Sequence, residues 1–287
     1  MPALWLLLIL VPGVAWTHPP QSVESILHLY ALDDEDVPRM GLPGRLSEIS
    51  GLTFDADGRL FAHHDEAAHI FQLDPSNGEV LSQFSLGRGI RGDFEGIASV
   101  GDRLFLVDSR GWLTESSVGR DGERVGYRAL PTGLGERCEV EGLAFDPASG
   151  NLLLPCKTPR DKELRGHLVV FAFSLETLSL LPEPRFFIPL ESLEEVGLGD
   201  EFNPSAIVVH PMSGTILVAS ARQNAVVEIH PGGRLLAGQK VARRRLRQLE
   251  GIAVGPDGSL YLASEGGLGR PRLARFKPSE ALTGENR

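Results

Sequence analysis

Glu250-Gly-Ile-Ala-Val-Gly-Pro-Asp-Gly-Ser-Leu-Tyr-Leu-Ala263 decides the fold of this chain. A short apolar run, a Gly-Pro-Asp-Gly turn and a second apolar run spell a β-hairpin, because Pro and Gly supply the backbone angles that a tight reversal needs. The pattern recurs upstream. It is seen in Glu48-Ile-Ser-Gly-Leu-Thr-Phe-Asp-Ala-Asp-Gly-Arg-Leu-Phe-Ala62, in Glu95-Gly-Ile-Ala, in Glu141-Gly-Leu-Ala-Phe-Asp-Pro-Ala-Ser-Gly, and in Ser205-Ala-Ile-Val-Val-His-Pro-Met-Ser-Gly. The spacing is about 46 residues except after the third copy, where Glu191 to Glu201 reads as a helical or loop insertion. Self-similarity at such a period signals a repeat architecture.

Two weaker strands follow each hairpin, as at Trp112–Val118 and Arg124–Leu130 after the second. Four antiparallel strands per unit, stacked around an axis, make a β-propeller. The expected fold is therefore all-β, a five-bladed propeller over residues 22–278, with residues 279–287 as a tail. The fifth unit has a third strand at Arg272–Phe276 and then runs out of chain, so Ser25–Leu32 is expected to supply its outer strand and close the ring. Six blades are the alternative, if the long third unit hides another hairpin.

Composition narrows the partners. The 287 residues carry 38 Asp and Glu against 28 Lys and Arg, a net charge of −10. An acidic surface disfavours nucleic acid or an anionic membrane as partner, because phosphate binding needs clustered positive charge. A cation, or a small molecule or protein ligand carrying one, fits the field better. Residues Ala3 to Trp16 are apolar apart from Pro12 and Gly13, too short for a membrane span but suited to a secretory signal. Residues 1–17 are thus read as a signal peptide, or as an uncleaved anchor and the one route to a membrane, and the mature protein as exported, periplasmic or secreted. Export permits a disulfide between the two cysteines, Cys138 and Cys156. Their strands leave them about three residues out of opposition by strict register, so two separate thiols are the alternative.

In every unit the first strand starts, and the second ends, at one face of the ring. That face gathers ten carboxylates, among them Glu48, Asp93, Glu95, Asp108, Glu141, Glu250 and Glu265, against Arg110, Lys157 and Arg222. His63, His64 and Asn203 join them as ligand-pocket candidates together with Glu48, Asp93, Asp108 and Lys157. Crowded carboxylates repel unless their pKa values rise or a cation sits among them. Hard oxygens in a ring suit Ca2+. The competing readings are that each Glu locks the ring through neighbouring backbone N–H groups, or that the carboxylates act directly in acid–base chemistry.

The Glu-Gly-(Ile/Leu)-Ala units, Asn203-Pro-Ser-Ala206 and the closing Leu260-Tyr-Leu-Ala-Ser-Glu265 resemble the SdiA-regulated domain family of bacterial exported propellers. The resemblance implies five blades, an N-terminal export or anchor segment and calcium at a shared site, with no established reaction. By motif position it points to Glu95, Glu141 and Glu250 as metal ligands and Glu265 next, while Ser205 breaks the pattern in the fourth unit. Two functions follow: a calcium-binding scaffold or binding module, or a metal-dependent hydrolase of lactones, phosphate esters or other esters using His63, His64 and Lys157 at the mouth.

Other motifs lead nowhere. Gly87-Arg-Gly-Ile-Arg-Gly92 has the spelling of a dinucleotide loop but is followed by a strand instead of a helix. His64 and His69 are five residues apart, wrong for two zinc ligands on one helical face. Arg243-Arg-Arg-Leu-Arg247 reads as a solvated outer edge of the fourth blade, with a docking patch for an acidic partner as the alternative.

Overall fold

The inner strand of each blade is apolar along most of its length because it is covered on both sides by neighbouring blades, and this fixes the architecture. The computed structural model describes residues 24–242, 246–266 and 269–279; the expected signal or anchor segment and most of the C-terminal tail lie outside them. Five sheets, antiparallel but for one short parallel pair, surround one axis, so the molecule is a five-bladed β-propeller. From the axis outward, blade 1 runs Ile49–Phe54, Leu60–His64, His69–Leu73 and Val80–Leu86, and blade 2 runs Phe94–Val100, Arg103–Asp108, Trp112–Ser117 and Tyr127–Pro131. Blade 4 is Ala206–Val209, Ile216–Ser220, Ala225–Ile229 and Leu235–Lys240. Blade 3 has a divided inner strand, Cys138–Val140 and Ala144–Asp146, then Asn151–Pro159, His167–Ser174 and Phe186–Pro189. The third-unit insertion holds a 3-10 segment, Leu190–Val196, and no sixth blade.

Blade 5 corrects one expectation. Leu249–Val254, Leu260–Ser264 and Arg272–Phe276 are completed by Arg39–Gly41, with Arg39 opposite Ala274 and Gly41 opposite Arg272. The N-terminal part of the chain does close the ring, but through this short strand and not through Ser25–Leu32. The earlier stretch turns instead as a 3-10 helix at Leu27–Leu29. Its buried residues are Leu27, Tyr30 and Leu32, and an i, i+3 pair suits a 3-10 turn better than the alternation of a strand. Glu228 fixes the start of this strap, accepting from Ser25 Oγ at 2.6 Å and from the backbone N–H groups of Ile26 and Leu27, both at 3.0 Å.

The single strand expected over Arg124–Leu130 is also divided. Arg124–Val125 pairs in parallel with the outer strand of blade 1, and the chain then crosses to blade 2 at Tyr127. This staples two blades together.

Apolar side chains gather in five clusters, one in each seam between blades. Leu27, Tyr30 and Leu32 of the strap fill the seam of blades 4 and 5 beside Leu217, Val226 and Leu262. At about 25 cal/mol per Å2 of apolar surface removed from water, these seams are the main favourable term in holding the wheel together. Cys138 and Cys156 form a disulfide with Cα atoms 5.7 Å apart. A register shift between Glu139 and Val140 brings them together where strict pairing would not. Among the described residues no helix is long and apolar enough to cross a membrane.

Candidate functional site: an acidic channel mouth

Strand register identifies which residues are equivalent around the axis. In blades 1, 2 and 5 the hairpin pairing shifts by one residue, at Ser50, Glu95 and Glu250. A β-bulge leaves one residue unpaired and re-aims its side chain. Glu141 lies in the gap between the two halves of the blade 3 inner strand, its N–H donating to Pro155 O at 3.1 Å. Ser205 immediately precedes the blade 4 strand. The ring is therefore Ser50, Glu95, Glu141, Ser205 and Glu250. The sequence alignment had put Glu48 in the first position; Glu48 is exposed at the rim, two residues too early.

The next residue explains the motif. An added Cβ on Gly96 would lie 2.5 Å from Leu143 N and 2.6 Å from the Gly142 carbonyl carbon, so the inner strands touch backbone to backbone here. The residue after that is Leu52, Ile97, Leu143, Ile207 or Ile252, buried in every blade. These five side chains line a waist of about 10 Å3 in the channel, about the space of a single water. The repeated triplet thus reads as ring residue, close-contact residue, plug.

Electrostatics concentrate on the ring. Ser50 Oγ donates to Glu95 Oε2 at 3.1 Å, and Lys157 Nζ donates to Glu141 Oε1. Burial raises Glu95 well above the usual carboxylate range, and the charges of Glu141 and Asp93 add to it. Burial also raises Glu141, although Lys157 opposes the shift. Glu250 is pushed up to about 8 by burial, then by Glu141 and Glu265. For Lys157, burial alone would lower the pKa, but Glu141, Glu250 and Glu95 outweigh it and the group is raised. Glu95 thus holds a proton at neutral pH, Glu141 is the partner of the ammonium, and three carboxyl groups, Glu141 buried and Glu95 and Glu250 half-buried, share one cation.

The remaining predicted residues divide. Glu265 stands in the second rank, raised by burial and by Asp65 and Glu48, with Gln248 Nε2 donating to its Oε2 at 3.0 Å. Asn203 supports Lys157 from behind, its Nδ2 donating to the Lys157 carbonyl at 3.4 Å. Asp108 belongs to its own turn, accepting from the N–H groups of Arg110 at 3.0 Å and Trp112 at 2.8 Å. Asp93 is exposed. His63 is fully buried, donates from Nδ1 to the His64 carbonyl at 3.1 Å, and is lowered to about 4 by burial. His64 is half-buried beside Asp65, 3.9 Å away. Ser50 and the plug were not singled out from sequence; the constant spacing of the apolar residue two places after the ring position carries the signal.

Hard oxygen donors are the right chemistry for Ca2+, and the ring offers three carboxyl groups against the one ammonium of Lys157. Asp65 Oδ1, beside the second rank, is buried without a hydrogen-bond partner. Among the described residues no three Asp, Glu, His or Cys side chains are assembled to hold a metal as they stand. Lys157 already engages Glu141. The donors suit a hard cation while their present arrangement is that of an ammonium-centred cluster.

Fold and site together define a five-bladed propeller with a carboxylate-lined mouth and a plugged channel. Residues 34–160 match the family model described as SdiA-regulated. No curated protein sequence matches the chain. Solved structures similar in fold include the glutaminyl cyclase of Myxococcus xanthus, 18% identical over 85% of this chain and 95% of that one, with a TM-score of 0.56. A luciferin-regenerating enzyme is 13% identical over 84% and 95%, TM-score 0.54. The PQQ-bound aldose sugar dehydrogenase of Streptomyces coelicolor is 16% identical over 84% and 97%, TM-score 0.53. Likeness at these identities shows the fold alone.

Proposed function

We propose that this chain is an exported binding propeller whose carboxylate mouth takes a cation, with Ca2+ as the occupant. One observation carries the reading: Glu95, Glu141 and Glu250, from three different blades, are brought together with a single ammonium group. Their oxygens and the Ser50 hydroxyl would hold the ion, and bound calcium would supply the positive charge that the protons on Glu95 and Glu250 now replace. Lys157 is its built-in competitor for Glu141. The family resemblance supports calcium, and the Cys138–Cys156 disulfide supports an oxidising compartment.

The hydrolase reading has less behind it. His63, which it placed at the mouth, is fully buried and bonded to its own neighbour. The test is elemental analysis of the purified protein with melting curves in CaCl2 and in EDTA. The expected result is bound calcium, a higher melting temperature in CaCl2 and a lower one in EDTA. No metal and superimposable curves overturn the proposal. Metal-dependent turnover in a lactone, phosphoester and ester panel would replace the binding module by an enzyme.

A further inference from the structure

The inner strands finish, at the end of the axis away from the acidic mouth, around a cup of about 620 Å3. All five blades contribute. Leu52, Ile97, Leu143 and Ile207 of the plug form its floor, so it is blind toward the acidic side, and Phe54 and Phe145 stand in its wall. Nothing described above uses this space.

The charged groups around the cup are all occupied. Asp55 accepts from Arg59 Nε at 2.7 Å and from the Arg59 N–H at 2.8 Å. Asp146 accepts from Ala148 N at 3.0 Å and from Ser149 Oγ at 2.6 Å. The Arg185 guanidinium donates to the Pro231 carbonyl and lies over the Phe186 ring, 4.5 Å from its centroid. His210 is locked as the neutral imidazole. Tyr30 gives its proton to the Gly258 carbonyl at 2.6 Å, so at 2.9 Å it accepts from His210 Nε2. The other ring nitrogen, Nδ1, accepts from Ser213 N–H at 3.2 Å. Burial lowers this ring to about 4, consistent with that tautomer at neutral pH.

A charged ligand entering this cup would lose its hydration and could reach the charge of Asp146 or Arg185 only by displacing the hydrogen bonds each already makes, whereas an uncharged apolar one meets matching walls. Cavities of this size take small organic molecules and bury most of their surface. We propose that the cup is a second binding site, separate from the cation site, for a neutral apolar small molecule bearing a ring system.

Two fluorescent probes test this directly: N-phenyl-1-naphthylamine, which is neutral, and 1-anilinonaphthalene-8-sulfonate, which adds a sulfonate to the same skeleton. The neutral probe should bind the full chain one to one, and the sulfonate should bind about tenfold more weakly or worse. Val209→Trp and Ser99→Trp, two residues of the cup on different blades, should each remove binding of the neutral probe, with near-UV circular dichroism confirming the fold. Both substitutions are made so that failure of one to fold still leaves the other. Calcium or EDTA should leave probe binding unchanged, which separates this site from the mouth. Equal affinity for both probes, no saturable binding, or full binding to a folded Trp variant overturns the proposal. So does a stable dimer in solution that covers the cup.

Discussion

Ser50 holds in blade 1 the bulge position that Glu95 holds in blade 2, and its hydroxyl donates to the Glu95 carboxylate at 3.1 Å. A hydrogen bond thus links neighbouring members of the ring where a carboxylate pair would repel. Replacing Ser50 by Glu should add a fourth carboxyl group to a cluster that holds a single ammonium. Without calcium the S50E protein should melt lower than wild type; with calcium the difference should shrink or reverse. Differential scanning fluorimetry in both conditions checks this.

Lys157 should act in two opposite ways. Lys157→Met leaves Glu141 buried without its partner, at a cost of about 2 kcal/mol. That is less than for a fully buried pair because the Lys157 side chain keeps 37% of its exposure. The same change removes the competitor for the ring, so calcium affinity by titration calorimetry should rise while stability in EDTA falls. A drop in both would remove Lys157 from the competing role.

Stability of the chelated protein should fall as pH rises. Glu250 has a folded pKa of about 8 against an ordinary 4.5, so from pH 4.5 to 8 the folded state keeps a proton that the unfolded chain releases. Stability therefore declines across this window. Glu95, also raised, extends the decline upward. Glu250→Gln should flatten the segment below pH 8, as read from urea midpoints. A wild-type curve that climbs with pH over that interval would contradict the assignment.

Gly96 should tolerate no side chain. A Cβ there meets backbone atoms of Gly142 and Leu143 inside 3.0 Å, and Gly96→Ala should cost about 3 kcal/mol. Gly126→Ala has nothing within 4 Å and should stay within about 0.5 kcal/mol. Chemical denaturation of the two variants makes the comparison.

Reduction should loosen blade 3. The Cys138–Cys156 bridge spans 18 residues, and opening a loop of that size is worth about 3 kcal/mol. Paired melts with and without reductant measure it. Equal melting temperatures would mean that the bridge adds nothing to the native fold.

Much of this was legible in the sequence, and the exceptions share a cause. Turn residues such as Pro256, Asp257 and Gly258 announce hairpins locally, so the blades and their number could be read directly. Ser50 could not be matched to Glu95 by eye, because Glu48 offers the expected residue type two positions early and only the bulge in register separates them. The closing strand Arg39–Gly41 is three residues with no apolar alternation, whereas Ser25–Leu32 is apolar and longer. What decides between them is an edge more than two hundred residues away in sequence, which no local pattern records. The cup is hidden for a similar reason: its walls are the ends of five strands, each ordinary alone.

Arg39 bonded across to Ala274 carries a consequence for assembly. The last blade has no outer edge until Arg39–Gly41 meets Arg272–Phe276, so the wheel is completed only after the chain has been made through residue 276. Contacts this distant form slowly. Until then the final sheet offers an open border to any passing strand, a reason for delay or chaperoning to matter more at this junction than at any of the other four.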